Sequence, residues 1–335
     1  MNNKILAISA VVILLVVGIA AGLLWNSDEP EEDGPITVTA NGKTVTFDEP
    51  VEKMVIYSKY IAEAVILMGA TDKVVGVSKT IANDTNYKQY YSNATNLGAN
   101  APSEGFDTVI KLQPDVIITY STYDNDNAYN SGIPVLEIGA SKSSEVQTDV
   151  EILGKILGME DKAQKILDWF NKYYDIATSA KNVDDTRFLI ESASKSKLTL
   201  CGPESTMGAN LELIGGNNVV TEGKYQYWSA DTVIPTDPEI ILIVEYNANW
   251  NEEYLESYRD SVCSRSGWDQ ISAVKSGEVY SVSNDIFGGI RSVVGAAFML
   301  SLIDSNYADL DVADIIDEYN SIAGTDFNNK LVYKN

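Results

Sequence analysis

Histidine is absent from this sequence of 335 residues, and the absence excludes several kinds of chemistry at once. Histidine is the commonest zinc ligand, the usual general base and a member of the Ser-His-Asp triad. The chain also lacks a Gly-x-Ser-x-Gly elbow, a phosphate-binding glycine loop and a Cys-x-x-Cys pair. We therefore predict no catalytic residue, no metal site and no bound cofactor, and an anchored enzyme is the interpretation that the sequence favours least.

Basic residues are scarce as well, since 24 lysines and arginines stand against 48 aspartates and glutamates. The formal net charge of −24 excludes nucleic acid as a partner, because phosphate backbones would be repelled. The hydrophobic content of 45% is nevertheless that of an ordinary globular protein. The chain is long enough for two domains with substantial cores.

The first 35 residues form a separate unit. An apolar run over residues 5–25 follows Lys4 and precedes an acidic stretch at 28–33. About 20 apolar residues cross a hydrocarbon core of ~30 Å, and positive charge before the run predicts an inside N-terminus with the remainder outside. A cleaved signal peptide, with the small residues 20–22 before the cut, is the alternative. Both interpretations predict export to the cell surface or the extracytoplasmic space.

Export gives meaning to the only two cysteines, Cys201 and Cys263. An even pair in an oxidising compartment is compatible with a disulfide. Two buried free thiols are the alternative, and the sequence does not decide between them.

One pattern of strand and helix occurs twice along the chain. Strand patterns alternate with amphipathic helix patterns, which is typical of parallel sheets covered by helices. A lone strand, an Asp-Thr-Val-Ile tetrapeptide and a second apolar strand recur in this order. The two copies occupy residues 55–57, 107–110 and 116–118, and residues 188–190, 231–234 and 240–242. The repeat predicts an α/β protein with two Rossmann-like lobes.

The segment between the copies has apolar residues at helical spacing and no strand pattern. It is poor in the glycine, serine and proline of flexible linkers, so we predict a long rigid helix that joins the lobes. The predicted organisation is therefore an anchor and acidic linker (1–35), an N-terminal α/β lobe (36–145), connecting helices (146–182) and a C-terminal α/β lobe (183–335).

These elements resemble the helical-backbone class of substrate-binding proteins of ABC importers, which bind iron siderophores, heme and cobalamin. Five segments carry the resemblance in the family's order and extend over roughly residues 36–335. They are the entry strands 36–47, the strand-helix-strand unit 51–77, the Leu-x-Pro-Asp strand 112–118, the Gly-Gly-x-Asn element 213–219 and the closing segment 268–280. The chain departs from the family in lacking a lipid-attachment cysteine and any histidine that could ligate heme.

The resemblance implies a binding protein, not an enzyme. We expect it to act as a monomer that captures a metal chelate between its lobes and delivers it to the permease subunits of an ABC transporter. It also implies an exposed glutamate on each lobe that docks to the permease. Glu63, Glu104 and Glu212 are candidates that the sequence alone does not separate.

The ligand site is predicted independently, because ligands of parallel α/β sheets meet the loops after the carboxyl ends of strands. Tyrosines are abundant there and suit a flat or apolar ligand. The predicted ligand-binding residues are Tyr57, Ser58, Lys59, Tyr60, Tyr120, Tyr123, Glu204, Tyr227, Trp228, Tyr246, Trp250, Phe287 and Arg291.

Several of these residues have a structural alternative. Tyr57 could end a core strand, Trp228 and Trp250 could pack under loops, and Arg291 could pair with a local aspartate instead of a ligand carboxylate or phosphate. Capture of another solute, an oxyanion or a free metal ion, is the alternative function, although a free transition metal would want histidine or paired cysteines. A surface adhesion module, which needs no cleft, is a further alternative.

Overall fold

The structure is a computed structural model that describes residues 34–180, 185–193, 197–246, 252–328 and 330–334. Residues from 35 onward form one compact unit. The predicted membrane helix over 5–25 lies outside the described residues. Among the helices that are described, none has the length and apolar character to cross a membrane.

The strands and helices alternate over most of this unit. The strands are β1 (Ile36–Ala40), β2 (Lys43–Phe47), β3 (Met54–Ile56), β4 (Val74–Val77), β5 (Thr95–Asn96), β6 (Val116–Thr119), β7 (Val135–Glu137), β8 (Arg187–Ser192), β9 (Thr199–Cys201), β10 (Asn217–Asn218), β11 (Tyr225–Tyr227), β12 (Ile240–Glu245), β13 (Val279–Ser283) and β14 (Val332–Tyr333). The helices are α1 (Lys59–Met68), α2 (Lys79–Asn83), α3 (Asp107–Leu112), α4 (Asp126–Asn130), α5 (Ser143–Leu157), α6 (Glu160–Ser179), α7 (Thr206–Leu213), α8 (Ala230–Val233), α9 (Glu252–Cys263), α10 (Ser272–Ser276), α11 (Ser292–Ile303) and α12 (Val312–Ser321).

The first sheet is parallel throughout and has the strand order β5-β4-β3-β6-β7. Its central strands β3 and β6 consist of buried residues, which fits a strand covered by helices on both faces. The hairpin of β1 and β2 stands apart from this sheet and turns at Asn41 and Gly42, both in the left-handed region.

The second sheet has the order β11-β9-β8-β12-β13-β14, with β10 also paired to β8. β8, β10, β12 and β13 are parallel, whereas β9 and β14 add antiparallel pairs. The protein is therefore a mixed α/β fold and not a purely parallel one. Each sheet contains one copy of the sequence repeat: β3 pairs with β6 in the first sheet, and β8 pairs with β12 in the second.

Two helices, α5 and the 20-residue α6, occupy the segment for which connecting helices (146–182) with a long rigid helix were predicted. α5 ends at Gly158, whose φ of 62° places it in the left-handed conformation that closes helices, and α6 begins two residues later. α6 packs against α5, which directly precedes it, and against α1 and α11, which lie far before and far after it in the sequence.

The helices between the sheets share one hydrophobic core. A single cluster of buried side chains includes Ile56 of β3, Phe170 of α6, Phe188 of β8 and Met299 of α11. Separate smaller clusters cover the outer face of each sheet. Because the two sheets rest on common packed helices, large relative movement would require breaking this core.

The two cysteines are free thiols, so the disulfide is not formed. Cys201 belongs to the shared core, where burial raises the pKa of its thiol to about 12, whereas Cys263 packs with the cluster on the other face of the second sheet. A sheet separates the two sulfur atoms, which explains why they do not pair.

A buried ion pair also joins α1, which follows β3 of the first sheet, to the turn before α11, which follows β13 of the second sheet. Arg291, in the turn before α11, donates from Nε and Nη2 to the carboxylate of Glu63 in α1, at 2.8 and 2.7 Å. Both residues are almost completely buried, with 2% and 3% exposure. The hydroxyls of Tyr87 and Tyr319 donate to the same carboxylate. Burial by itself lowers the pKa of Arg291, but Glu63 raises it well above its ordinary value, so the guanidinium stays charged.

We expect Arg291→Met to destabilise the protein by about 3–5 kcal/mol, because it leaves the Glu63 carboxylate buried without its counter-charge. The matched control is Arg187→Met, since the Arg187 side chain is 39% exposed and its ion pairs lie at the surface. The control substitution should lower the free energy of unfolding by about 1 kcal/mol or less. Urea unfolding followed by circular dichroism measures both free energies of unfolding.

A second variant separates the charge from the packing. In Glu63→Gln with Arg291→Met, the glutamine oxygen can accept a hydrogen bond from one of the two tyrosines, its amide NH2 can donate to the hydroxyl oxygen of the other, and no buried charge remains. This double variant should recover at least half of the loss seen with Arg291→Met alone. Equal costs for Arg291→Met and Arg187→Met would contradict the structural role assigned to the pair.

Candidate ligand cleft

A cleft of about 730 Å³ lies where loops of the two sheets face each other. The hairpin turn, the first-sheet strand ends and loops, and the helices next to them, including α5, contribute Asn41, Tyr57, Lys59, Tyr60, Ser78, Thr80, Asn100, Tyr120, Ser121, Thr122, Tyr123, Glu137, Gly139, Ser141, Lys142, Glu145 and Asp149. The second sheet contributes Glu204, Thr206, Lys224, Tyr225, Tyr246 and Asn284. Most of these residues follow the carboxyl end of a strand, as expected for a ligand site of an α/β fold.

The start of α1 positions one wall of the cleft. Ser58 is the N-cap of α1: its hydroxyl accepts a hydrogen bond from the amide of Ile61 and donates to the carbonyl of Gly139, at 2.8 Å. Ser58 is therefore buried behind the wall of the cleft, while Tyr57 and Lys59 on either side of it line the cleft. Lys59 lies 3.9 Å from Asp285 of the facing lobe and beside the ring of Tyr60.

Six tyrosines line the cleft, namely Tyr57, Tyr60, Tyr120, Tyr123, Tyr225 and Tyr246. Burial raises the pKa of Tyr57 to about 12 and raises that of Tyr60 and Tyr120 further. The phenols are therefore neutral and offer apolar ring faces with hydroxyl donors. The Tyr57 hydroxyl is buried and has no hydrogen-bond partner among the described residues, an arrangement that native structures rarely leave unused.

Two glycines allow Tyr60 to lie flat against the opposite wall. A Cβ atom at Gly288 would lie 2.3 Å from the Tyr60 hydroxyl oxygen, and one at Gly289 would lie 2.5 Å from its ring. Gly289 also has a φ of +70°, which residues with side chains rarely adopt. The Gly-Gly pair thus brings the turn before Arg291 into contact with the first sheet's cleft wall.

The structure places seven of the predicted residues on the cleft: Tyr57, Lys59, Tyr60, Tyr120, Tyr123, Glu204 and Tyr246. Ser58 is buried behind the cleft wall and does not line the cleft. Tyr227 is 66% exposed and is not among the lining residues, and Trp228 packs against the outer core of the second sheet. Trp250 lies outside the described residues. Contact with a ligand stays a prediction for all of them.

Two predicted ligand contacts need correction. Arg291 does not face the cleft, because its guanidinium is engaged by Glu63, and the partner is a distant glutamate and not the local aspartate of the alternative reading. Phe287 is completely buried in the shared core. Both follow a strand end as the sequence rule required, but the chain turns inward there to reach α11.

Other lining residues were not predicted. Glu137 ends β7 and could have been found by the same strand-end rule; it accepts hydrogen bonds from Asn41 and Asn125. Asn41 comes from the hairpin turn and Asp149 from the middle of α5, and no local sequence signal connects either of them with the cleft. Among the described residues, no cluster of acidic or sulfur side chains has the geometry of a metal site.

The carboxyl group of Asp149 lines the cleft and has a raised pKa. Burial raises its pKa from an ordinary 3.8 to about 6, although it accepts hydrogen bonds from the amides of Gly139 and Ala140 at 2.9 and 2.7 Å. It therefore holds the loop after β7 that forms part of the cleft wall, and it loses its proton close to neutral pH.

We expect the contribution of Asp149 to stability to fall as the pH rises from about 4 to above 6. A raised native pKa means that the folded protein binds the proton more tightly than the unfolded chain does, so the contribution is complete below pH 3.8 and is lost through pH 6. Relative to Asp149→Asn, which does not titrate, the unfolding free energy of the parent protein should fall by about 1–3 kcal/mol over this window. A difference between the two proteins that stays constant with pH would contradict this assignment.

The sequence matches the family described as periplasmic binding protein over residues 54–286. An uncharacterized ABC transporter substrate-binding lipoprotein of Bacillus subtilis is 25% identical over 290 residues, which cover 82% of this chain and 86% of the relative. A Fe(3+)-citrate-binding protein of the same organism is 24% identical over 87% of this chain and 94% of its own length. A cobalamin-binding protein of Halobacterium salinarum is 24% identical over 61% of this chain and 56% of its own length.

Solved structures share the fold. The TroA-like periplasmic binding protein FepB from Veillonella parvula superposes with a TM-score of 0.76 at 17% identity, over 90% of this chain and 99% of that protein. CeuE of Helicobacter pylori superposes with a TM-score of 0.67 at 19% identity, over 88% and 98% of the two chains. At these identities the likeness concerns the architecture alone.

Proposed function

We propose, because the chain belongs to the periplasmic binding protein family, that it captures a metal chelate in the cleft between its two sheets and delivers it to an ABC permease. Proteins of this family bind substrates and are not enzymes, and the family is extracytoplasmic. The homologues named above include binders of Fe(3+)-citrate and of cobalamin.

The observation that carries the proposal is a cleft of about 730 Å³ lined by tyrosines from both sheets. This volume suits a ligand of several hundred daltons, since small-molecule sites usually measure about 300–1,000 Å³. The tyrosines offer broad ring faces for the organic surface of a chelate and hydroxyls for its polar atoms. Because both sheets contribute, a bound ligand would bridge them.

The packing between the sheets supports a binding protein that closes only slightly. The shared helical core and the buried Glu63–Arg291 pair oppose wide hinging. A cleft that is largely preformed reduces the ordering cost of binding. Ligand capture would then rely on small adjustments of the lining loops, and the protein would act as a monomer.

The cleft disfavours the alternative solutes. A bare transition metal needs nitrogen, sulfur or carboxylate ligands at close spacing, and none of the described residues forms such a group. An oxyanion is usually held by arginines or clustered amides, and no arginine lines the cleft. A surface adhesion module would not require a concave tyrosine-lined site.

Two further parts of the proposal concern the partners in the membrane. As an uncleaved helix, the apolar segment 5–25 would anchor the protein at the outer side of the cytoplasmic membrane; as a signal peptide, it would be removed after directing export. Of the candidate docking glutamates, Glu63 is buried in its ion pair, whereas Glu104 and Glu212 are exposed and stay available to a permease.

We expect one chelate molecule to bind per chain, with Tyr123→Ala and Tyr246→Ala each weakening the affinity about tenfold or more. These residues lie on the walls supplied by different sheets, and loss of a contacting aromatic ring commonly costs on the order of 1–2 kcal/mol. Isothermal titration calorimetry with ferric hydroxamate, ferric citrate and cyanocobalamin measures both stoichiometry and affinity.

The control is Tyr129→Ala, a tyrosine of the first lobe that is 37% exposed and does not line the cleft. It should leave the affinity within about twofold of the parent protein. Folded protein that binds none of the three probes would refute the proposal, and an equal loss in the control would show that binding takes place elsewhere.

A further inference from the structure

We infer that the ligand is a chelate without net negative charge, as in neutral or cationic ferric hydroxamates and corrinoids, and not a polyanionic chelate. The inference rests on the proposed function and concerns the charge of the ligand that the cleft accepts. It follows from where the chain places its arginines, lysines and carboxylates.

All four arginines of the sequence lie among the described residues, and each is engaged outside the cleft. Arg291 pairs with the buried Glu63, and Arg265 makes two hydrogen bonds to Glu191, which is completely buried in β8. The remaining two pair with carboxylates outside the cleft: Arg187 with Asp237 and Glu239, and Arg259 with Asp260. No guanidinium is therefore left to hold a ligand carboxylate or catecholate in the two-pronged manner that favours anions.

The lysines that line the cleft do not compensate for the absence of arginine there. Among the described lining residues, Lys59, Lys142 and Lys224 stand against four carboxyl groups. Lys59 already lies 3.9 Å from Asp285, a carboxylate of the facing lobe. The four lining carboxyl groups are Glu137, Glu145, Asp149 and Glu204.

Most of these carboxyl groups accept hydrogen bonds from other groups of the protein. Glu137 accepts hydrogen bonds from side chains of the cleft wall, and Glu145 accepts from the amide and hydroxyl of Ser141. Glu204 is exposed, at the end of the loop that leads into α7. An incoming polyanion would thus meet a neutral to negative wall on a protein whose formal net charge is −24.

Neutral phenols supply the recognition that charge does not. The six lining tyrosines give ring faces and hydroxyls, and the Tyr57 hydroxyl is a buried donor that has no partner in the described part of the chain. A hydroxamate or corrinoid surface presents carbonyl and amide groups that accept such hydrogen bonds. The donor set matches an uncharged polar chelate better than a multiply charged one.

The test uses two ferric chelates of similar size, a neutral tris-hydroxamate and a tris-catecholate that carries three negative charges, together with neutral cyanocobalamin. Calorimetric titration of the full exported chain at low and high salt gives the affinities. We expect at least one neutral probe to bind about tenfold or more tightly than the trianion. Salt should strengthen any residual binding of the trianion, because it screens repulsion.

The variant Glu204→Gln tests whether the charge of the cleft sets the preference for neutral chelates, without altering the tyrosines. Removing this exposed carboxylate should raise the affinity for the tris-catecholate, relative to that for the tris-hydroxamate, by about threefold or more. The matched control is Glu256→Gln in α9, which removes an exposed charge that does not line the cleft. This control should leave the ratio unchanged.

The outcomes distinguish failure of the charge preference from failure of the proposed function. If the trianion binds as tightly as the neutral probes, or if salt weakens its binding, the inference about charge is overturned while capture of a chelate stands. If Glu204→Gln and Glu256→Gln shift the ratio equally, the charge preference does not arise in the cleft and the inference is likewise overturned. If no probe binds to folded protein, the proposed function fails and takes this inference with it.

Discussion

The buried pair of Glu63 and Arg291 is the interaction on which the arrangement of the two sheets depends. It joins α1, which packs beside the first sheet, to the turn before α11 in the second half of the chain. The pair is tolerable in the core because Tyr87 and Tyr319 complete the hydrogen bonding of the carboxylate, whereas an isolated buried charge would cost several kcal/mol. Such a pair constrains geometry more strongly than apolar packing does, since its hydrogen bonds tolerate little displacement.

The same constraint shapes the cleft. Drawing Arg291 into the core pulls the preceding Gly288 and Gly289 against Tyr60, so a wall of the cleft is set by an interaction behind it. The shared core of α1, α5, α6 and α11 then fixes the distance between the facing loops. If the cleft binds the ligand as proposed, specificity would depend on the side chains of those loops more than on a large closing movement.

Local patterns predicted the α/β class of the fold and seven of the residues that line the cleft. The repeated strand-helix-strand pattern correctly separated the strands of the two sheets, because buried parallel strands are continuous apolar runs that are visible in sequence. Strand ends located Tyr57, Tyr120 and Tyr246 on the cleft. The partner of Arg291 could not be found in this way, since Glu63 lies 228 positions away and is identified only when the chain is folded. Asp149 was missed for the same reason, because it reaches the cleft from the middle of a helix.

The distribution of arginine connects stability with recognition. A guanidinium that pairs with a buried carboxylate, as Arg291 does with Glu63 and Arg265 does with Glu191, cannot also bind a ligand without leaving that carboxylate buried and unpaired. A chain with only four arginines and no histidine therefore divides its charged groups between structure and binding, and here the structural sites take every arginine. The cleft has three lysines and four carboxyl groups but no arginine, and six tyrosines supply its neutral ring faces and hydroxyls. Under the proposed function, such a lining would recognise a ligand by shape and hydrogen bonding, and it would select against ligands whose solvation depends on charge.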